Sequence, residues 1–415
     1  MTARQEAHDG STTRPWWSSP AGRVVAGGVL VLAVAVAIGL FALWPRGAPP
    51  PVQSAAGGGA ADGAVVIAVT SQGCRQFAGP GCRLISIRLT SGEHTGAKSS
   101  ITLPAEGAAP SIAPGDRIRV ARNGPPRDPR ALDEQFSIDT PSEQPFAFID
   151  FERQNVLLLL AIAFGLLVVA FGRLQGLRSL LGLAAALFLV IEFVVPAILK
   201  GSPALLVALV GSLAVMLITM ALSHGVGLKS AAAVLATTTA LLLTALLALV
   251  AVKAAHVTGL SSEASVLLTL GRTGLSIQGL VLAGMVIGAL GVLDDVTVSQ
   301  ASTVLALHRA NPQLGFRRLL TEGLSVGRDH LAATVNTLVL AYAGAALPIL
   351  LIFADQRVGF GDAVNRELVA EQIVAGLVGS TGLIAAVPLT TVLAALLATR
   401  LHHGALPIDA HAHAH

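Results

Sequence analysis

The sequence predicts an α-helical polytopic membrane bundle of about eight transmembrane helices, with a small extracytoplasmic β-domain. Hydrophobic residues make up 53% of the 415 residues and charged residues only 12%, about half the charged share of an average soluble domain. The apolar runs are continuous and approach ~20 residues, the length with which a helix crosses a bilayer. One region alternates apolar and polar residues with period two instead. Continuous runs argue against a porin-type barrel, and a net charge of +3 without basic–aromatic patches gives no support for nucleic acid as a partner.

Shifts in composition along the chain predict its domains. The first apolar run is too long for a typical signal-peptide core, so it is expected to stay as a signal anchor. A Pro/Ala/Gly-rich linker follows it. The predicted segments are a cytoplasmic N-terminal tail at 1–22, the anchor helix at 23–44, the linker at 45–62, the β-domain at 63–150, a seven-helix membrane domain at 151–401 and a cytoplasmic His-containing tail at 402–415.

Period-two alternation predicts the β-domain. Ile85, Ile87 and Leu89 alternate with polar residues, as in a strand with one buried face. Turn residues rich in Gly and Pro separate such runs, and four to six strands are expected. An OB-like barrel is one topology for them, and the lack of an aromatic strand face favours a scaffold or partner-docking role. The predicted strands include 64–70, 84–90, 99–103 and 117–121.

The two cysteines predict a disulfide in this domain. Cys74 and Cys82 are eight residues apart in a Gly/Pro-rich stretch that lets their Cα atoms approach bonding range. A disulfide is favoured outside the cytoplasm, whereas two cysteines alone rarely hold zinc.

The distribution of Lys and Arg predicts the orientation in the membrane. Short segments predicted inside hold eleven of these residues and the short loops predicted outside hold five. Both termini are then cytoplasmic and residues 45–153 lie outside the cell membrane. Besides the anchor, the predicted spans are 155–172, 179–199, 203–222, 231–252, 277–303, 331–353 and 373–399.

Asp294 and Asp295 are the strongest functional signal. They are the only formally charged residues from 277 to 307, and a carboxylate at bilayer depth costs roughly 2.5–3.5 kcal/mol on insertion scales. The pair predicts an ion, proton or substrate site inside the bundle. The alternative is that the span ends near Leu293 and both carboxylates lie at the cytoplasmic surface.

Helical spacing predicts the surroundings of this pair. Small and polar residues share one helical face with Asp295, which is expected to pack against a neighbouring helix and bring Asp295 into the interface. Asn336 in the next span needs a hydrogen-bond partner in hydrocarbon and serves either as interhelical glue or as a pore-lining group. Glu192 is a further intramembrane acid for the same site. The predicted helix-packing face comprises Gly284, Gly288, Gly291, Ser299 and Ser302.

Further polar groups border the predicted cytoplasmic ends of the spans. His224 and Lys229 lie in a tight turn, and Arg328 and Asp329 open the seventh span after a segment, 311–329, that is predicted to be an interfacial amphipathic helix. They form either a gate at the site or a solvated, lipid-headgroup-facing cap.

The last span and the C-terminus carry two weaker signals. Glycines and Pro388 within 376–391 predict a kinked or discontinuous last helix, either as a packing kink or as an ion-coordinating break. Alternating histidines at 411, 413 and 415 leave open a weak metal site, and no metal is assigned.

Sequence motifs of the common hydrolases and nucleotide-binding enzymes do not occur. The chain has no G-x-S-x-G, H-E-x-x-H or G-x-x-x-x-G-K-[ST]. The segment GVLDD lacks the GxGD pattern of intramembrane aspartyl proteases. We therefore expect neither an enzyme nor a cofactor.

Four motifs resemble those of the YibE/F-like bacterial membrane proteins. They are SHG with KS at 223–230, GVLDDVTVSQAS at 291–302, GRDH with TVNTLVLAYAGAALP at 327–348, and GSTGLIAAVPLT at 379–390. The similarity covers about residues 145–400, and the β-domain is similar to the N-terminal half of the family. The resemblance implies a multipass membrane protein of chiefly Gram-positive bacteria without a settled activity. In the family the first position of the aspartate pair often differs, which favours Asp295 as the functional residue.

These observations predict a permease or ion- or proton-coupled transporter for an unknown small solute or ion. The alternative is a non-transporting membrane scaffold for envelope or export machinery, in which the aspartates hold helices together. A membrane enzyme acting on lipid or cell-wall precursors is a third class. The expected partners are the lipid bilayer, the solute and an extracytoplasmic protein that binds the β-domain.

Overall fold

A computed structural model describes residues 16–47, 61–72, 82–104, 110–122, 146–271 and 274–400. The chain divides into two compact units. One comprises residues 52–167, and the other comprises residues 1–51 together with 168–415.

The first unit contains a five-stranded antiparallel sheet, followed by the helical residues 154–167. The strands are β1 (Asp62–Gln72), β2 (Cys82–Leu89), β3 (Lys98–Pro104), β4 (Arg117–Arg122) and β5 (Phe146–Phe151). Their order is β3-β2-β1-β4-β5, and contact between the edge strands β3 and β5 shows that the sheet curls. The predicted alternation is confirmed, because Ile85, Ile87 and Leu89 are fully buried while Arg88 is exposed.

Local polar contacts occur at one end of the antiparallel β4–β5 pair, where β4 begins and β5 ends. The turn before β4 has Gly115 at φ 95°, where a side chain would be strained, and the Asp116 carboxylate accepts a hydrogen bond from the Ala113 N–H at 2.8 Å. After β5, Arg153 binds Asp150 at 2.7 Å. The hydrogen bond from Arg153 holds the pKa of the Asp150 carboxyl below its usual value.

The disulfide remains a prediction. Cys82 begins β2 and is buried, whereas Cys74 lies outside the described residues. The OB-like barrel also stays a prediction.

We expect Ile85→Val to destabilise the sheet by about 1 kcal/mol, because it removes one methylene from a fully buried position. Ile149→Val is the matched control, since Ile149 on β5 is 49% exposed. Hydrogen–deuterium exchange of the strand amides in the full chain measures both changes. Equal acceleration of exchange in the two variants would contradict the burial pattern.

The second unit is a bundle of long apolar helices, one of which, Gln154–Leu189, begins in the first unit. Seven helices in the described residues are long and apolar enough to cross a membrane. The helices are α1 (Pro20–Leu43), α2 (Gln154–Leu189), α3 (Val195–Leu199), α4 (Ala204–His224), α5 (Leu228–Ala254), α6 (Glu263–Gly271), α7 (Ile277–Ala310), α8 (Phe316–Asp355), α9 (Phe360–Asn365) and α10 (Glu367–Arg400), with a 3-10 turn at Trp16–Ser18 and a π-helical turn at Val190–Val194.

One of the seven runs contains two predicted spans. The run Gln154–Leu199 is 46 residues long, more than twice what a bilayer requires. Its backbone leaves the helical region at Arg173, with φ 49° and ψ −131°. That break falls in the predicted loop at 172–178, so the predicted spans 155–172 and 179–199 lie on either side of it. The total of eight spans stays a prediction.

Helix α7 lies at the centre of the bundle. It packs against α4, α5, α8 and α10, and α5 also packs against α10. The buried side of α7 is mainly apolar and includes Val286, Leu293, Val296 and Val304. Helix α1 packs against α4 and α5.

Two local predictions about the later helices need correction. The segment 311–329 does not form a separate interfacial helix, because α8 begins at Phe316, continues through this segment and packs there through Gly323 and Gly327 against α7 and α10. Of the two alternatives for the last span, the discontinuous helix is wrong, and the packing kink stays a prediction. Helix α10 includes Pro388 without interruption, and the hydroxyls of Thr390 and Thr391 donate to carbonyls four residues earlier.

Candidate functional site

The aspartate pair lies within the length of the bundle. We call the end formed by the α4–α5 turn, Gly225–Gly227, the turn end, and the end formed by residues 255–262 the loop end. Helix α4 has 21 residues, or about 32 Å, close to the ~30 Å hydrocarbon thickness. The Thr219 hydroxyl interacts with the Asp294 side chain, and Thr219 is five residues, about 7.5 Å, from the end of α4. Asp294 therefore lies about one and a half turns inside the turn end, and α7 does not end at Leu293.

The two carboxylates have different surroundings. Asp294 faces α4, and its Oδ1 is buried without a hydrogen-bond partner among the described residues. Asp295 is exposed and lies about 100° further around α7. The prediction that Asp295 lies in the helix interface was wrong, because Asp294 occupies that position.

The predicted packing face of α7 is open. Nothing lies within 4 Å of a side chain added at Gly284 or Gly291, and at Gly288 the only such neighbour is the Tyr342 hydroxyl at 3.7 Å. Ser299 and Ser302 donate to carbonyls of α7 itself. The helix instead packs with its larger apolar side chains, which bury more area. This face is about 16 Å long from Gly284 to Asp295, and its small residues leave little side-chain bulk on the helix surface there.

The turn end brings together three of the predicted polar groups. His224 is the last residue of α4, and the charges of both Lys229 and Asp295 act on its ring. Arg328 and Asp329 are exposed on α8. His224, Lys229 and Asp295 thus lie near one another at the turn end. The contribution of α8 to a gate stays a prediction.

Asn336 is not directed toward the aspartates. It is exposed, and it precedes Leu338 by two residues, or about 200° around α8. Because Leu338 packs close to Gly379 of α10, the Asn336 amide faces away from that helix. The exposed position fits neither glue within the bundle nor a shared site with Asp294.

Glu192 also lies apart from the pair. Its neighbours Phe193 and Val194 are buried while Glu192 is exposed in the π-helical turn. The residue of α2 beside Thr219 is Gly182, ten residues or about 15 Å along the helix from Glu192. Glu192 and Asp294 therefore do not lie in one site.

Sequence reasoning missed the buried polar contacts around α7. The hydroxyls of Thr237 and Thr297 are 2.6 Å apart, which joins α5 to α7. The Gln300 amide donates to the Gly323 carbonyl and to the Thr391 hydroxyl, both at 2.8 Å, which joins α7 to α8 and α10. An amide side chain within a predicted span was the available signal for Gln300. These bonds hold the helix that carries the aspartates.

A second group of acids lies at the loop end and was also missed. Glu367, in the first turn of α10, accepts hydrogen bonds from the Thr258 hydroxyl at 2.8 Å and from the backbone N–H of Gly259. One turn later, Glu371 borders a cavity of about 270 Å³ that is also lined by Tyr342 and Gly284. This cavity opens at the start of the uncovered face of α7. The spacing of two acids at i and i+4 before the last span was the sequence signal.

No group of three or more His, Cys, Asp or Glu side chains suited to a metal ion occurs in the part of the chain that the structure describes. The terminal histidines at 411, 413 and 415 lie outside the described residues, and their role stays a prediction.

Most of the helical bundle matches a known protein family. Residues 160–400 match the model of a family described as YibE/F-like protein, which covers more than half of the chain and confirms the resemblance seen in the motifs. No curated protein and no solved structure matches the chain.

Proposed function

We propose that this chain, which belongs to the YibE/F-like family and is a membrane protein, is a permease that couples solute or ion movement to the aspartate pair. The observation that carries the proposal is Asp294, whose buried Oδ1 has no hydrogen-bond partner among the described residues and which is followed by the exposed Asp295. A buried carboxylate oxygen without a donor is costly to keep. Such a group is suited to receive a proton or a cation in part of a transport cycle.

The uncovered face of α7 supports a route to this pair. The cavity at Glu371 and Tyr342 borders Gly284, and little side-chain bulk fills the face from there to Asp295. His224 and Lys229 then border the turn end. Acids at the loop end and near the turn end favour a cation or a proton as the coupling species, whereas the solute is unassigned.

The proposed topology places both termini in the cytoplasm and residues 45–153 outside the plasma membrane. The Lys/Arg distribution supports it, as eleven of these residues lie in the inner segments and five in the outer loops. The turn end is then cytoplasmic. In the oxidising outer compartment Cys74 and Cys82 form a disulfide.

For the β-domain we propose an OB-like barrel that docks a protein partner or guards the external opening. The order β3-β2-β1-β4-β5, with contact between β3 and β5, supports this topology. No enzymatic step and no cofactor are part of the proposal.

Flux in proteoliposomes with an imposed pH or cation gradient tests the transport function. We expect Asp295→Asn to lower flux at least tenfold, because it removes the exposed charge on the route but retains the side-chain size. Asp355→Asn at the exposed end of α8 is the control and should transport normally. Wild-type flux that equals protein-free liposomes under every gradient would reject the permease, and normal flux in Asp295→Asn would remove that residue from the mechanism.

A further inference from the structure

A groove of about 420 Å³ between α1, α4 and α5 lies at the turn end and plays no part in the proposed transport route. Most of its wall is aliphatic, and no acidic side chain lines it in the part of the chain that the structure describes. Representative wall residues are Val29 and Leu30 of α1, Leu217 and Met220 of α4, and Val234 of α5. An apolar groove of this kind is complementary to hydrocarbon.

One end of the groove is polar and lacks partners. Trp16 and Ser230 line it and are only 7% and 6% exposed. Neither the Trp16 indole Nε1 nor the Ser230 Oγ has a hydrogen-bond partner among the described residues. Buried polar atoms without partners are rare, and each costs about 1–3 kcal/mol. Two such atoms beside one groove indicate that a ligand supplies the missing bonds.

The same end contains the start of a long helix. The residues Gly225, Val226 and Gly227 line the groove, and Gly227 caps the 27-residue α5 without any side-chain hydrogen bond. The free backbone N–H groups of a helix N-terminus favour an anion, above all a phosphate. The indole N–H and the serine O–H are also donors, so the three features select the same chemistry.

The charges nearby are compatible with an anion here. Lys229 is adjacent to Ser230 in the sequence. Asp294 is across α4, because it faces Thr219, which is two residues or about 200° around the helix from the groove residue Leu217. Asp294 therefore does not share the groove.

We propose that this groove binds one membrane phospholipid. Its acyl chain lies along α1 between α4 and α5, and its phosphate accepts hydrogen bonds from Trp16, Ser230 and the first turn of α5. Tryptophan and a helix N-terminus at the end of a span are suited to the headgroup layer, where phosphate and acyl chain meet. The bound lipid connects α1 to the rest of the bundle and is independent of whether the protein transports.

Lipid retention by the purified full chain tests this proposal. After a delipidating detergent wash, native mass spectrometry should find one phospholipid on each wild-type chain. We then compare the wild type with a double variant, Trp16→Phe with Ser230→Ala, in nanodiscs of mixed phosphatidylglycerol and phosphatidylcholine. The double variant should bind phosphatidylglycerol at least tenfold more weakly than the wild type does. Ser212→Ala is the matched control, because its hydroxyl is also buried without a partner but is not in the groove; it should bind as the wild type does.

A second variant distinguishes the loss of lipid binding from misfolding at the polar end. Ala33→Trp fills the groove from α1 and should exclude the lipid while leaving Trp16 and Ser230 in place. Equal lipid retention in the wild type and in both groove variants would overturn the proposal. Two other results would also overturn it: inorganic phosphate binding as tightly as the lipid, or lipid binding that appears only after deletion of residues 2–13, which would make the N-terminal segment the occupant.

Discussion

Gly382→Ala is expected to destabilise the bundle by about 3 kcal/mol, the upper end of the cost of overpacking. A Cβ added at Gly382 of α10 would lie 2.1 Å from the Thr244 hydroxyl of α5 and 3.3 Å from its Cβ. Thr244 is fully buried, and its hydroxyl donates to the Ala240 carbonyl at 2.7 Å. It cannot rotate away without losing that bond, so the helices must separate.

Two further variants make this measurement specific. Gly291→Ala adds the same methyl group to α7 where nothing lies within 4 Å, and the higher helix propensity of alanine should leave stability unchanged or slightly increased. Thr244→Ala removes the hydroxyl that Gly382→Ala meets, so the double variant should recover much of the loss. Reversible unfolding in mixed detergent–SDS micelles gives the free energies. A small effect of Gly382→Ala, or additive effects of the pair, would contradict the close approach of α5 and α10.

The contrast between these glycines shows where sequence reasoning succeeds and where it fails. The burial of Ile85, Ile87 and Leu89 could be predicted, because period-two alternation with one apolar face has only one packed solution. Helix α7 is different, since it is apolar on nearly all sides and its small residues form only one of several faces. The spacing of the small residues identified that face of α7 but not which helices pack against it. The packed side of α7 is the one with the larger side chains.

The aspartate pair shows the same limit at the candidate site. Their presence in a spanning helix was visible in the sequence, and so was their 100° separation. Which carboxylate faces the interior depends on where α4 crosses α7, and that position is set by contacts between distant segments, such as Gly279 with Ala204. The loop-end acids Glu367 and Glu371 were missed because their partners, Thr258 and Ser261, are more than a hundred residues away.

The substitution Asp294→Asn distinguishes a permease from a scaffold, because the two functions predict different effects on stability. Asp294→Asn should lower flux at least tenfold, because the amide cannot exchange a proton or neutralise a cation at the buried position. The same variant should leave stability unchanged or raise it by about 1–3 kcal/mol, since it removes the charge from a carboxylate whose buried Oδ1 has no hydrogen-bond partner among the described residues.

A scaffold requires the opposite sign for stability. If Asp294 holds α7 to α4, Asp294→Asn and Thr219→Val should each weaken the bundle, and their combined effect should be less than additive. The same unfolding assay and the proteoliposome assay decide between them, with Asp355→Asn as the control for both. A stable variant without flux supports the permease, whereas a destabilised variant, in a protein whose wild type gives no flux, supports the scaffold. The two functions differ at Asp294 because a scaffold needs its contact with Thr219 to hold α7 to α4, whereas a permease needs the unpartnered Oδ1 to receive a proton or a cation.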